Sequence, residues 1–331
     1  MVHHPGRVSI IGAGTLGGTI AYSLLLANTA KEILLVDMSH NIVQGQVLDL
    51  AEVQSTTTIR AGTFKEAGQS TLVVLTADTP PNDKDKNRQQ WLKRSRHLLL
   101  SIASSMSPVH SDIMILVTSD PVDLYVQSLQ SYFPHVSPNR IFGLGTTMAT
   151  DRLGVWLRDM MSTSATTLPA EIADVYCIGT QHSPVIAWQH AKVDGMPASA
   201  LPNLIAQRDV CNKIVSNHRR YLICERKGKA WFGEASAATR LVNAIIKSST
   251  TIAAAAYGAT AAASAIAPAK NPVWVLSVNV PKYECCLSWP AVICDTGIKH
   301  LVDIPLSADE QAQISQVVES NIADFQASFD N

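Results

Sequence analysis

The segment from Val8 to Asp37 limits the possible folds more than any other stretch of this chain. An apolar run, Val8–Ile11, ends in Gly12-Ala-Gly14-Thr15-Leu16-Gly17, and the glycines open a helical pattern over Thr15–Leu26. A second apolar run, Glu32–Val36, then ends on Asp37. In a strand–turn–helix, Gly12 permits the tight turn, Gly14 lets a ligand approach the backbone, and Gly17 lets helix and strand pack closely. The first N–H groups of the helix and its positive dipole end then face a pyrophosphate. Asp37 follows at about 20 residues, where a carboxylate holds both ribose hydroxyls and repels a 2′-phosphate. The pattern predicts a dinucleotide site selective for NAD over NADP. It is formed by Gly12, Gly14, Thr15, Leu16, Gly17 and Asp37, with Thr76, Ala77 and Ser119 at the ends of later strands.

Short β-branched runs continue to alternate with helical spacing. Thr71–Thr76 and Asp112–Thr118 read as strands, and Asn41–Glu52, Arg88–Met106 and Val122–Tyr132 as helices. That order predicts a doubly wound parallel sheet covered on both faces. Past about residue 145 the rhythm becomes mixed. A helix over Met148–Asp159, a strand over Ala173–Ile178, helices over Ala198–Arg220 and Gly233–Lys247, and strands over Val273–Val278 and Cys285–Ile293 are expected. A last helix opens on the capping box Ser307-Ala-Asp-Glu310. The expected division is a Rossmann domain over 1–146 and an α+β domain over 147–331, with an Ala-rich insertion near 249–269.

Composition excludes several classes. With 26 basic against 27 acidic residues, the chain has no electrostatic footprint for nucleic acid. Basic residues do gather over Lys84–Arg96, but Asp83 and Asp85 dilute them, and the stretch reads as a solvated helix start or a small-anion site. The six cysteines form no C-x-x-C pair, so no metal site is expected and buried free thiols fit. The least polar stretch, Thr251–Ala267, is alanine-rich and interrupted by Tyr257 and Gly258, which argues against a membrane span. The chain begins without a charged segment followed by an apolar one, so a reducing cytoplasm fits.

Taken in order, Gly12–Gly17, Asp37, Asp49-Leu-Ala, Asp120-Pro-Val-Asp123, Gly143-Leu-Gly145-Thr146, Arg152, the run Gly179 to Trp188, and Lys227-Gly228 with Gly233 resemble the L-lactate/malate dehydrogenases, in a divergent, fungal-type form. The resemblance spans about residue 6 to 328. It implies a Rossmann half followed by the family's α+β half, NAD as cofactor, a small anionic substrate, and a homodimer or homotetramer. The family chemistry uses a histidine to move the hydroxyl proton and an aspartate to orient that histidine. One arginine forks onto the substrate carboxylate, and a second, on a closing loop, polarises the carbonyl. The resemblance implies Arg152 for the fork and Arg88 for the polarising role.

The proton-moving positions differ. Ala149 stands where the family has its aspartate, and Gln181 stands in the histidine register, with His182 one residue beyond. Asp120 replaces an asparagine, Ala230 a threonine and Asp78 a glycine. The substrate-selecting position of the mobile loop falls near Pro81 or Asn82, which indicates neither lactate nor malate. Asp120 beside an anion calls for protonation or pairing with Arg152. The expectation is an NAD-dependent oxidoreductase on a non-standard 2-hydroxy or 2-oxo acid, with Arg88, Arg152, His182, Asp120 and Gln181 at the reacting end. The alternatives are a repurposed isomerase or cyclase, and a non-catalytic NAD-binding protein.

Overall fold

The computed structural model describes residues 4–79, 87–162, 171–216, 218–256 and 273–329. Six parallel strands form the first half: β1 (His4–Ile11), β2 (Glu32–Val36), β3 (Thr58–Ala61), β4 (Ser70–Leu75), β5 (Met114–Val117) and β6 (Ile141–Gly143). They lie in the order 3-2-1-4-5-6, the dinucleotide-binding arrangement. Between them run α1 (Thr15–Leu26), α2 (His40–Leu50), α3 (Phe64–Ala67), α4 (Arg88–Met106) and α5 (Val122–Tyr132).

The central strands are apolar throughout because both faces are covered. Val8, Ile10, Ile33, Leu35, Leu72 and Val74 pack on one face with Ile20 and Leu24 of α1. Ile11, Leu34, Val36, Val73 and Leu75 pack on the other, with Leu99 and Ile102 of α4 and Val126 of α5. Period-two alternation thus fills two separate cores from one strand.

The second half carries α6 (Thr147–Ser162), β7 (Ile172–Ala173), β8 (Cys177–Gly179), β9 (Pro184–Ile186), β10 (Lys192–Val193) and β11 (Met196–Pro197). Then follow α7 (Pro202–Ala206), α8 (Arg208–Val215), α9 (His218–Lys227), α10 (Phe232–Ala256), β12 (Val273–Val280), β13 (Cys285–Cys294), β14 (Gly297–Leu301) and α11 (Ala308–Ala327). The first sheet does not stop at β6. It continues through β12, β13, β8 and β9, with β14 on β13. Each join is narrow: Ser277 pairs Gly143, and Ser288 pairs Gly179. α10 packs against α1, so its apolar Leu241, Val242 and Ile245 share the first half's core.

Two expected elements divide. Ala173–Ile178 is two strands in different sheets, because Asp174 takes a left-handed φ of 55° and turns the chain between them. Ala198–Arg220 is three helices after a short 3-10 turn. Pro202 starts one, since it has no N–H to continue the preceding turn, and the backbone leaves helical geometry again at Ser216. Helix α10 extends into the Ala-rich stretch as far as Ala256; the rest of that stretch, with Pro81, Asn82 and Lys84–Lys86, lies outside the described residues.

Candidate active site

Strand order reverses between β1 and β4, so the loops after them diverge and leave a crevice at the strands' carboxyl ends. Gly12 there has φ +112°, and a Cβ on it would stand 2.4 Å from Thr76 Oγ1. A Cβ on Gly17 would stand 1.8 Å from the Gly12 carbonyl oxygen. A Cβ on Gly14 would meet nothing within 4 Å, so this glycine borders open space. Gly14 caps α1 without a side-chain bond, and helix geometry leaves the N–H groups of the first turn, Thr15 to Gly17, without intrahelical acceptors. The Leu16 side chain is buried in the core, so only its backbone faces the crevice. Asp37 accepts from the Ala13 N–H (2.8 Å) and the Ser39 N–H (2.9 Å), which fixes its carboxylate at the end of β2. Thr76 Oγ1 donates to the Gly12 carbonyl (2.8 Å), and Ser119 Oγ to the Leu75 carbonyl (3.0 Å), so both hydroxyls hold loops in place. Tight packing on two sides, open space on the third and free N–H groups fit the pyrophosphate of a dinucleotide.

A cavity of about 590 Å³ lies between α6, α9 and the start of α10, and Thr118, which bonds the Leu75 carbonyl beside the crevice, also lines it. Arg152 lines it, with Ala149 and Gln181. One Arg152 Nη donates to the Val215 carbonyl (3.1 Å), while its buried Nε has no hydrogen-bond partner among the described residues. No carboxylate of the described residues lies within ion-pair distance of it. Burial, together with the charges of Arg219 and Arg220, pushes the Arg152 pKa down. Trp156, Ile214, Ile223 and Trp231 supply apolar walls, and Lys227 Nζ sits 3.6 Å from the centre of the Trp231 ring.

A hollow of about 60 Å³ adjoins it, and Gln181 lines both. Arg88, Asp120 and His182 border this smaller space. Arg88 donates to the Asp324 carboxylate of α11 (2.7 and 3.0 Å), and half of its side chain is exposed. His182 is exposed, in the turn Thr180–Ser183, which closes on itself by backbone bonds in both directions. The structure therefore brings Gln181 to Arg152, and leaves His182 and Arg88 at the rim of the lesser hollow.

Asp120 does not pair with Arg152, as the sequence suggested. Its partner is Arg220 of α9 at 3.6 Å, and the same guanidinium donates to Glu234 in the first turn of α10 at 2.6 Å. Asp120 Oδ1 is buried without a hydrogen-bond partner among the described residues. Lys229 stands 3.7 Å from Asp78. Burial raises the Glu234 pKa, Arg220 opposes this, and Asp120 adds to it; burial likewise raises Asp78. Burial would lower the Arg220 pKa, but Glu234 and Asp120 outweigh it and raise it. Below this group, buried Asp123 accepts from Ser277 Oγ at 2.6 Å, and burial pushes its pKa up to about 7. Sequence reading missed Arg220, Lys229, Glu234 and Asp123. The available signals were a charged residue within the Gly233–Ala238 run and a pair of adjacent arginines, neither of which names a partner.

The model for the lactate/malate dehydrogenase NAD-binding domain matches residues 6–143, and that for the family's alpha/beta C-terminal domain matches residues 156–323. The chain belongs to the lactate/malate dehydrogenase family. L-lactate dehydrogenase A of Rhizopus oryzae is 32% identical over 324 residues, covering 97% of this chain and 92% of that protein. An L-lactate dehydrogenase of Acetivibrio thermocellus is 27% identical, covering 93% and 92%. The fold matches the ligand-bound crystal structure of a minor L-lactate dehydrogenase from Enterococcus mundtii, with a TM-score of 0.81 at 22% identity, covering 99% of each chain. As in the rest of the lactate/malate dehydrogenase family, the cofactor is NAD, and the glycine crevice is shaped for it. Among the described residues no group of histidines, cysteines and carboxylates is placed to hold a metal, and no helix is long and apolar enough to cross a membrane.

Proposed function

We propose that this chain is an NAD-dependent oxidoreductase acting on an anionic 2-hydroxy or 2-oxo acid, or a close relative, other than lactate or malate. The observation that carries the reading is Arg152. A half-buried guanidinium is costly unless an anion meets it, and this one lines a cavity with no carboxylate of the described residues in reach and a buried Nε that has no acceptor among them. Gly12, Gly14, Thr15, Leu16, Gly17, Asp37, Thr76, Ala77 and Ser119 form the cofactor side, with 1–146 as the cofactor domain and 147–331 as the substrate domain. Arg152 takes the carboxylate, and Gln181 and Asp120 border the reacting group. Arg88 reaches it only by exchanging Asp324 for substrate. Ala149 and Gln181 support the doubt about lactate and malate, because loss of a positioned acid–base group costs about 10²–10⁴ in rate. A cytoplasmic homodimer or homotetramer accompanies this reading. Exposed Met38, Ile42 and Leu48, at and beside α2, support self-association.

The test is NADH oxidation against a panel of 2-oxo acids. Arg152→Ala should lower kcat/KM by roughly 30-fold or more, as expected for removing one partner of a buried charge contact, and leave NADH affinity within twofold (about 0.4 kcal/mol). The missing acid–base pair also favours a second reading, a non-catalytic NAD-binding protein. Tight NADH binding with no turnover of any anionic substrate would select it.

A further inference from the structure

Two features of the cavity are unexplained by a 2-oxo acid. First, the positions that would supply a proton carry Ala149 and Gln181. Second, the charged residues that depart from the family pattern there, Asp120 and Asp78, are both negative. Asp120 and Glu234 share the single guanidinium of Arg220, while Lys229 is matched by Asp78. Of the other cations lining the cavity, Lys227 is stacked on Trp231 and Phe232, and Arg219 is exposed. The group Asp120–Arg220–Glu234 is thus one positive charge short when both carboxylates are ionised. Asp120 borders the adjoining hollow, and its buried Oδ1 has no hydrogen-bond partner among the described residues. Arg152, which lines the main cavity, has a buried Nε with no acceptor among the described residues. Arg220 stands close enough to Arg152 for their charges to repel, so the two sites are neighbours.

A ketone oxygen suits neither feature. It can only accept hydrogen bonds, and Asp120 and Glu234, when ionised, only accept as well. Its reduction also needs a proton that neither Ala149 nor Gln181 supplies. A protonated imine beside a carboxylate suits both. Its N–H donates to the unpartnered acceptor, its positive charge completes the group around Arg220, and its carboxylate meets Arg152.

We infer that the substrate is a 2-imino acid in its iminium form, with the carboxylate on Arg152 and the N–H directed at Asp120 and Glu234. This deepens the dehydrogenase reading above and rests on it. The balance requires no acid. A hydride adds to the iminium carbon, a C–H bond forms, the π pair of the C=N bond becomes the nitrogen lone pair, and NADH becomes NAD⁺. The product is the 2-amino acid, which takes its further proton from bulk water after release. In the family reaction the histidine moves that proton at the site; here the substrate brings its own.

Two measurements test this on the full chain. In calorimetry without cofactor, L-proline carries a cationic nitrogen where tetrahydrofuran-2-carboxylate carries an ether oxygen on the same ring. Proline should bind at least tenfold tighter, and Asp120→Asn and Glu234→Gln should each reduce that preference severalfold without weakening the ether. Equal or reversed preference in the wild-type protein overturns the inference, whatever the variants do. In turnover, 1-pyrroline-2-carboxylate should oxidise NADH with kcat/KM at least tenfold above any 2-oxo acid of similar size. If 2-oxo acids are reduced as well or better, the iminium inference falls and the dehydrogenase reading stands. If neither is reduced while NADH binds, the dehydrogenase reading falls and takes the inference with it.

Discussion

The glycine crevice and the arginine cavity lie side by side, yet they are built by different means. The crevice is a backbone construction. Gly12 and Gly17 occupy positions where any Cβ collides, and Asp37 is held by N–H groups two residues away and across the β1 turn. The cavity is a side-chain construction. Asp120 comes from the loop after β5, Arg220 from α9 and Glu234 from α10, so three separate elements must meet to form the group. Backbone geometry leaves residue types at fixed spacings, so it is legible in a sequence. Charge pairing across helices leaves no such spacing, so it becomes visible only once the chain is folded.

The largest expected effect tests the backbone side of this contrast. Gly17→Val forces a side chain onto the Gly12 carbonyl. It should destabilise the protein by about 3 kcal/mol or more and weaken NADH binding by roughly 100-fold. A NADH fluorescence titration together with a thermal melt reads both, and retained affinity would break the contrast at its firmest point.

On the side-chain half, the strongest effect is at Asp123. Burial raises its pKa from 3.8 to about 7. Between those values the native state holds a proton that the unfolded chain has lost, so stability falls as pH rises through that window. The full effect is about 4 kcal/mol between pH 4 and pH 8. Asp123→Asn keeps an acceptor for Ser277 and should flatten that slope. Urea unfolding of both proteins at the two pH values measures it, and equal slopes would remove the buried acid from the argument.

Arg152 gives a smaller effect with an informative sign. Arg152→Leu should raise stability by about 1 kcal/mol while acid binding is lost, because a half-buried charge held for a ligand is a cost to the fold alone. A lower melting temperature in the ligand-free variant would show that Arg152 is structural. The smallest effect separates backbone from half. Ser307→Ala removes a capping box from α11, in the second half. It should cost about 1 kcal/mol, measurable by the shift in denaturation midpoint. A null result would mean that legible backbone signals matter less in this half than in the first.

Much of the fold could be read directly. Thr15–Leu26, Arg88–Met106 and Val122–Tyr132 form helices with the bounds their periodicity implied, and the Ser307 box caps its helix in both directions. The NAD fingerprint sits at the strand-order reversal, as its spacing required. Short elements were less legible. β3 and β6 carry four and three residues, too few to show an alternation. The break in Ala198–Arg220 turns on Pro202 and Ser216 inside an otherwise continuous helical pattern. At the site, the residue types at positions 120, 149 and 181 announced a change but not its outcome. Arg220, which answers Asp120 in the folded chain, is 100 positions away.

The narrow joins of the sheet carry a mechanical consequence. The segment from β6 to α6 is stitched to the far strands: the Thr146 N–H donates to Ser288 Oγ (3.1 Å), Thr147 Oγ1 to the Val275 carbonyl (2.8 Å), and Thr146 Oγ1 to the Cys177 carbonyl. The glycine crevice and the arginine cavity therefore rest on a common anvil that is assembled during folding. On the proposed reading, hydride donor and acceptor would meet over this one continuous sheet rather than across a gap between two separate bodies.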